Sequence, residues 1–598
     1  MFLNPWLLTD FYKLTHILQY RPELRELTSY LTPRGSRLKN INKVVMFGLS
    51  AYVHSYVVEN FNKNFFNRPW WDTCNEVKEV LKEGLGYSDE MIFKTLENLH
   101  ALHELGYLPV EINAVAEGTL VPMGVPCVEI KSTNPQFFWV GQALEASLSA
   151  AIWHPMISAT IAREYRKIAR EAFVKTVENG VDERTAMCDF SMRGQESNES
   201  AVNASVAWLT SMWNSSTVAA RKHIQNVYGK CEGNVRGLTS TEHSVMTSHA
   251  CLDDGYEYYT FKYLFNLYKN VSFAAVCDSY DFWNVLTHIL PKYFKNEIDE
   301  RGKRGVFIGV RHDSAEPVDA LCGSVPILHA DSVKRIPKDM LEDGTKLECM
   351  TLMFTEEEAN NLWEQGFREG NLVAVKCDGE EYLVRIRAVE HLRSIDVTVD
   401  KDCPTMWASG VLQNRSRTWE EKGMVETMYE IFGGSVNSKG FKVLNPGIKA
   451  VYGDSITITR AKKIYKRLEI KGFAANNVSL GVGSFSFQAL ENEDGSLSPF
   501  TRDTASIAIK CTHSKYVDEY GTVCERHVFK DPKNFSGKKS QKGLCRIFFN
   551  EDGELTYEDE LYEKDLVGKN SALIPYFKDG QEFKQNFEII RETIDENL

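Results

Sequence analysis

From about residue 184 the chain repeats one pattern: a short unbroken apolar run, a polar residue with usable chemistry, then a segment with apolar positions at helical spacing. The runs are TAMCDF, SFAAVCDSYD, GVFIGVRHDS, IKAVYGDS and VSLGVGS. Unbroken apolar runs are how strands buried on both faces read, and their alternation with helices predicts a parallel sheet of βα units. Asp189, Asp278, Asp313 and Asp454 each follow such a run. In a β/α barrel that position is the C-terminal rim, where active sites of this architecture lie. One aspartate there more often caps the next helix; four in series favour a shared site.

The first 180 residues have a different texture. Residues 45–63 and about 76–105 carry helical periodicity. Pro109 to Ile130 alternates around Gly and Pro, as a small antiparallel sheet does. A long helical pattern runs from Gly141 to about Glu178, and Pro155, which lacks a backbone donor, is expected to kink or break it. Between about Asp319 and Arg417 the stretch NLVAVKCDGEEYLVRIRAVEHLRSIDVTVD, with its Asp-Gly turn, predicts an inserted antiparallel domain. The expected division is residues 1–180 as N-terminal helices and a flanking β-rich domain, 181–318 as the first part of the barrel and 319–417 as the insertion. Residues 418–515 complete the barrel, and 516–598 return to the flanking domain.

Composition narrows the classes. With 43% hydrophobic and 25% charged residues the chain reads as globular. A net charge of -13 argues against nucleic acid as a main partner. No uncharged apolar run reaches the roughly 18 residues of a membrane span, and MFLNPWLLTDFYK reads as neither signal peptide nor anchor. Thirteen cysteines without a C-x-x-C pair fit reduced thiols in a cytoplasm and signal no structural zinc site; metal ligands are not legible.

GVGS at 481–484 lacks the third glycine of a dinucleotide fingerprint and reads more simply as a tight structural turn, yet its backbone N–H groups are also suited to cradling a phosphate. Downstream cations at Arg502, Lys510, Lys530 and Lys538 read either as solvated charges or as phosphate ligands converging on that turn. An acidic rim suits two chemistries. Paired carboxylates hydrolyse a glycosidic bond, or they stabilise a ribosyl cation while Mg2+ carries a pyrophosphate leaving group. TSTEHSV, at 239–245, sets His243 beside Glu242 among hydroxyls, as either a satisfied structural histidine or a group modified on demand.

TDFYK (9–13), DFSMRG (189–194), TEHS (241–244), CDSYD (277–281), RHDS (311–314), YGDS (452–455), TRD (501–503) and VFKDP (528–532) together resemble the nicotinamide phosphoribosyltransferase family, in register through nearly the whole chain. The resemblance implies a type II phosphoribosyltransferase fold, an α/β barrel with a flanking β-rich domain. It also implies a homodimer with shared active sites, and transfer of phosphoribosyl from 5-phosphoribosyl pyrophosphate to nicotinamide in NAD salvage. By motif, Phe190 and Tyr12 of the second subunit stack on the pyridine, and Arg193 and Arg311 lie near the amide and donor. Asp10, Asp278 and Asp313 surround the ribose and its pyrophosphate. Gly453 and Asp454 hold ribose hydroxyls, and Arg34, Gly483, Ser484, Arg502, Lys510, Lys530 and Lys538 serve the phosphates. The matching histidine, His243, is phosphorylated by ATP in the family, with Glu242 and nearby hydroxyls orienting the ring; Mg2+ accompanies the donor.

The pattern departs in three places. Ser216 stands where nicotinamide-specific members carry an aspartate, which opens nicotinate as a substrate. The family's glycine run is GVGSF here, and Ala508 replaces a serine near the 5′-phosphate. Together with the insertion, these leave room for a larger donor, ADP-ribose pyrophosphate, and direct formation of NAD. A barrel glycosidase, or a metabolite sensor without catalysis, is the reading from another class.

Overall fold

The computed structural model describes residues 3–229, 235–250, 257–328, 333–335, 339–340, 346–347, 349–354, 370–377, 380–391, 406–413, 415–453, 455–492, 495–530 and 541–598. The chain divides into two compact units. One comprises Met1–Arg166, Asp189–Gly237 and Ser484–Leu598; the other comprises Lys167–Cys188 and Leu238–Gly483.

The second unit is built on a parallel half-barrel. Five strands of this six-stranded sheet are β1 (Met187–Asp189, the last residue already in the first unit), β2 (Phe273–Val276), β3 (Ile308–His312), β4 (Ile448–Tyr452) and β5 (Val478–Val482), and they follow one another in the order β1-β5-β4-β3-β2. The pairings of β2 with β3, β3 with β4 and β4 with β5 are parallel. All five apolar runs of the sequence are therefore strands. Every residue of β2 and β3 is buried, as a sheet covered on both faces requires. Helices follow the strands with their own caps: Asp281 accepts from Asn284 N at 3.0 Å, and Thr457 accepts from Arg460 N at 3.2 Å. Such caps satisfy donors that a helix leaves orphaned. Arg301, fully buried, donates to the carbonyls of Tyr268, Val271 and Phe307 at 2.9, 2.6 and 3.2 Å, fixing the approaches to β2 and β3.

The insertion carries a six-stranded sheet in the order Ile327–Leu328, Leu372–Cys377, Glu380–His391, Met406–Gln413, Cys349–Phe354, Val333–Arg335. Its described pairings are antiparallel except the first, which is parallel. Val325, Ile327, Ala374 and Leu383 form a small core of its own. At the neck, Gly323 and Gly423, both with positive φ, touch so closely that a Cβ on Gly423 would lie 2.1 Å from Gly323 N. Lys471, buried beside them, donates to the carbonyls of both Cys322 and Lys422 and to Glu426. Arg417 joins Glu426 to Glu381, a residue of the inserted sheet.

The first unit holds a seven-stranded antiparallel sheet, in the order Val523–His527, Ile507–Val517, Leu24–Pro33, Val128–Ser132, Val110–Val115, Leu573–Lys578, Gln581–Glu582. Of the small sheet expected over Pro109–Ile130, Val110–Val115 and Val128–Ser132 pair within this larger one, while Leu120–Pro122 pairs with Lys43–Val45 in a separate two-stranded sheet. Two sequence expectations are corrected. Residues 43–45 are a strand, and the helical run begins only at Leu49. Pro155 breaks nothing: it lies inside one continuous 32-residue helix, Glu145–Thr176. Met156, Ile157, Ala159, Ile161 and Ala162, just past the proline, are all buried; tertiary packing of this kind routinely overrides local propensity.

Candidate active site

In the second unit the loops after β2 and β3 are tied together. Asp278 follows β2, and its Oδ2 accepts Asp313 N at 2.9 Å, Ser314 N at 2.8 Å and Ser314 Oγ at 2.6 Å. Its Oδ1 lies 3.1 Å from Nε2 of His243, the first residue of the helix His243–Ala250. His312 Nδ1 stands 3.5 Å away on the other side. Burial alone would raise this carboxyl. The donors from His312, from Ser314 and from the Asp313 and Ser314 backbones outweigh it and hold Asp278 well below the usual carboxylate range. Asp278 is therefore a fixed, buried anion, while His243 is half exposed.

The sequence pattern assigned the orientation of the imidazole to Glu242; the structure gives that place to Asp278. Glu242 instead takes the hydroxyl of Ser244, and its carbonyl accepts Val245 N and Met246 N, as the residue before a helix does.

Arg311, at the end of β3, meets Asp313 through Nε and Nη2 at 2.8 and 2.7 Å and reaches Ser240 Oγ at 3.4 Å. This bidentate pair fixes the guanidinium plane. Gly453, just after β4, has no side chain because there is no room for one: a Cβ there would lie 2.2 Å from Arg311 Nε and 2.6 Å from Cζ. Four of the residues singled out by sequence, His243, Asp278, Asp313 and Arg311, thus form one connected group, with Gly453 packed against it.

Residues the sequence reading gave no role complete the surroundings. Glu257 is buried, with Oε1 unpartnered among the described residues. Burial first, then the charges of Asp281 and Asp278, push its carboxyl up to about 7. The side chains of Ser314 and His312, present in the RHDS motif, are the donors that charge Asp278. No local signal marks Glu257.

In the first unit, Asp189 is no rim carboxylate. It is fully buried and accepts Ser205 Oγ at 2.6 Å, Ser215 Oγ at 2.8 Å and Ser191 N at 2.8 Å. It thereby anchors the turn that carries Phe190 and Arg193, the latter in Met192–Gly194. Ser216 is exposed, and its N–H donates to the Asp189 carbonyl at 2.9 Å. Asp10 precedes the helix Phe11–Gln19, and Tyr12 on that helix is 57% exposed. Arg502 pairs with Asp503 at 3.0 Å, and Lys510 lies 3.8 Å from Glu145. Arg34 N donates to the Ser506 carbonyl, so Arg34 and Arg502 belong to neighbouring segments. Ser484 opens the short turn Ser484–Phe487, and Lys530 follows the edge strand Val523–His527. Gly483 ends the second unit's chain segment. Asp454 and Lys538 lie outside the described residues.

Among the described residues no group of three His, Cys, Asp or Glu side chains is placed to hold a metal, and the carboxylates of Asp278 and Asp313 are already engaged. No helix among the described residues is long and apolar enough to cross a membrane.

Comparison with known proteins bears directly on this group. The nicotinate phosphoribosyltransferase (NAPRTase) family matches residues 185–354 and 403–561, and the N-terminal domain of nicotinamide phosphoribosyltransferase matches residues 4–112. A protein of Acinetobacter baylyi named nicotinamide phosphoribosyltransferase is 29% identical, covering 100% of this chain and 98% of its own. One of the same name from Mycoplasma pneumoniae is 24% identical over 91% of this chain and 97% of its own. Among solved structures, human nicotinic acid phosphoribosyltransferase aligns over 98% of this chain and 93% of its own, with 14% identity and a TM-score of 0.46.

Proposed function

We propose, for a chain that belongs to the nicotinate phosphoribosyltransferase (NAPRTase) family, that it joins nicotinamide to 5-phosphoribosyl pyrophosphate, giving nicotinamide mononucleotide and pyrophosphate for NAD salvage. The observation that carries this reading is the linked group His243–Asp278–Asp313–Arg311 at the C-terminal ends of parallel strands. Full-length similarity to proteins named nicotinamide phosphoribosyltransferase supports the choice of acceptor.

The chemistry needs little from acid–base groups. The pyridine nitrogen supplies its own lone pair to C1′, the C1′–O bond to pyrophosphate breaks, and no proton moves. The barrier is charge separation, which preorganised charges lower. Asp278 and Asp313 face the cationic ribose side, and Arg311 steadies Asp313. Phe190 and, from the partner of a homodimer, Tyr12 hold the ring, with Asp10 and Arg193 beside it. Gly453 and Asp454 serve the ribose, and Arg34, Gly483, Ser484, Arg502, Lys510, Lys530 and Lys538 serve the phosphates. Mg2+ comes with the pyrophosphate donor as part of the substrate, in keeping with its habit of binding through phosphate oxygens and few carboxylates.

His243 is the regulatory group in this reading. With Nε2–H donated to Asp278, Nδ1 keeps its lone pair and attacks the γ-phosphorus of ATP; ADP leaves, and an N–P bond forms. Nicotinate is a second reading of the acceptor, carried by exposed Ser216 in place of a carboxylate. The test is to incubate the protein with nicotinamide or nicotinate and with phosphoribosyl pyrophosphate or ADP-ribose pyrophosphate, and to weigh the products. Nicotinamide mononucleotide, formed faster with ATP, is expected. NAD as the first product, or no transfer at all, defeats the proposal.

A further inference from the structure

The last turns of the long helix Glu145–Thr176, from Lys167 on, belong to the second unit. Together with the helix Ile458–Ile470 of the same unit they line an open groove of about 450 Å3. Its apolar lining is Ile168, Ala172 and the ring of Tyr465, all three buried. Its charged lining is lopsided: Lys175, Lys462, Lys463, Lys466 and Arg467 face only Glu171 and Glu469. Both acids are already engaged. Glu171 accepts from Lys175 Nζ at 3.1 Å, and the two carboxylates, Glu171 first and then Glu469, push the Lys175 ammonium up. Arg467 is paired with Asp319. Lys462 and Lys463 are exposed and Lys466 is half-buried, and none of the three has a carboxylate or hydrogen-bond partner among the described residues.

Helix stability does not ask for this arrangement. Lys462 and Lys466 stand four apart on one helix, as do Lys463 and Arg467, and like charges at that spacing oppose the helix that carries them. They do so in a chain whose net charge is -13, where acidic residues are the commoner surface group. The groove, at about 450 Å3, has the size of a small-molecule site and not of a protein–protein face. The kind of cation narrows the ligand further. A planar carboxylate is best read by the fork of arginine, whereas ammonium groups act as point charges and suit phosphate oxygens. Three of them within little more than one helical turn match several negative charges in a row.

We propose that this groove binds an oligophosphate chain, free or as the tail of a nucleotide, through Lys462, Lys463 and Lys466. The inference does not rest on the reaction proposed above, in which none of these lysines has a part. Acetylation of lysines in the full chain by a dilute succinimidyl ester, read residue by residue by mass spectrometry, tests it. Inorganic tripolyphosphate at low salt should slow the labelling of Lys462, Lys463 and Lys466 saturably. Lys94, exposed on the helix Asp89–Leu105, should label at an unchanged rate. In a variant carrying Lys462→Glu and Lys466→Glu, the concentration that half-protects Lys463 should rise about tenfold or more, the scale of losing one charge-assisted hydrogen bond. Reading Lys463 itself keeps phosphate bound anywhere else on the protein out of the result. No protection of the three lysines, or equal slowing at Lys94, would overturn the assignment. So would protection by ATP without protection by tripolyphosphate, because the base and not the phosphates would then be bound. An unshifted half-protection in the variant would do the same, and the footprint on the unmodified chain decides the matter even if the variant does not fold.

Discussion

Nε2 of His243 lies 3.1 Å from Oδ1 of Asp278, although 35 residues separate them and one is half exposed while the other is buried. The pair links a solvent-facing, modifiable ring to an anion whose charge is fixed by its other neighbours. Changing the ring therefore changes the field at Asp278 without changing its protonation. His243→Ala should keep basal transfer and lose the acceleration by ATP. Initial rates with and without ATP check this; an unaltered ATP response removes the role assigned to His243.

Asp278→Asn leaves the shape but not the charge. Its Oδ can still accept from Ser314, while stabilisation of a cationic ribose is lost. A fall in kcat of about 100- to 1000-fold is expected, the scale of removing one preorganised electrostatic contact. Retention of more than a tenth of the rate would place Asp278 outside the reacting group.

Gly453→Ala introduces one methyl group onto the Arg311 guanidinium, where a Cβ would lie 2.2 Å from Nε. Arg311 must then leave its bidentate seat on Asp313. We expect kcat/KM to fall by about tenfold or more, since small misplacements at such sites are expensive, with little change in Tm. Crystals of the variant should show the Arg311–Asp313 pair broken.

Glu257 makes stability pH-dependent in a specific window. Its folded-state value, raised to about 7 by burial and then by Asp281 and Asp278, exceeds that of the unfolded chain. Folding therefore takes up a proton between about pH 4.5 and 7. The stabilisation is complete below that window and disappears as pH rises through it. Glu257→Gln imitates the protonated form. It should match the parent near pH 4 and be the more stable of the two above pH 8. Melting curves against pH would show the two lines converging in acid; parallel lines would refute the claim.

Arg417 should be the costliest of these positions to alter. It is buried between Glu426 and Glu381, and Lys471 shares Glu426. Arg417→Met leaves Glu426 to Lys471 alone and takes the bidentate partner of Glu381, a loss of up to about 3–5 kcal/mol, the range for removing one partner of a buried pair. The melting transition of the unit carrying the half-barrel should drop accordingly.

How much of this was legible beforehand follows from the range over which each signal acts. The five apolar runs and the acids behind them were readable because burial of both faces writes itself into consecutive residues. Asp278, Asp313, His243 and Arg311 fell together because a parallel sheet aligns strand ends. The partner of His243 was misjudged, since adjacency in sequence favoured Glu242 while neighbours on a helix start diverge. Asp189 looked like its counterparts but is consumed by Ser205 and Ser215, partners 16 and 26 residues away. Pro155 misled for the complementary reason: its local cost is outweighed by packing that no local window contains. Glu257 carries no motif, because its character comes wholly from what surrounds it.

The glycine contact at the neck of the insertion, with Lys471 gripping both Cys322 and Lys422, has a practical corollary. The backbone before and after the inserted sheet already meets at Gly323 and Gly423. A chain spliced from Gly323 directly into Gly423 would need no new path through the host. That splice would also remove Arg417 and leave Glu426 to Lys471, so the half-barrel would keep its closed neck with one cation fewer beneath it.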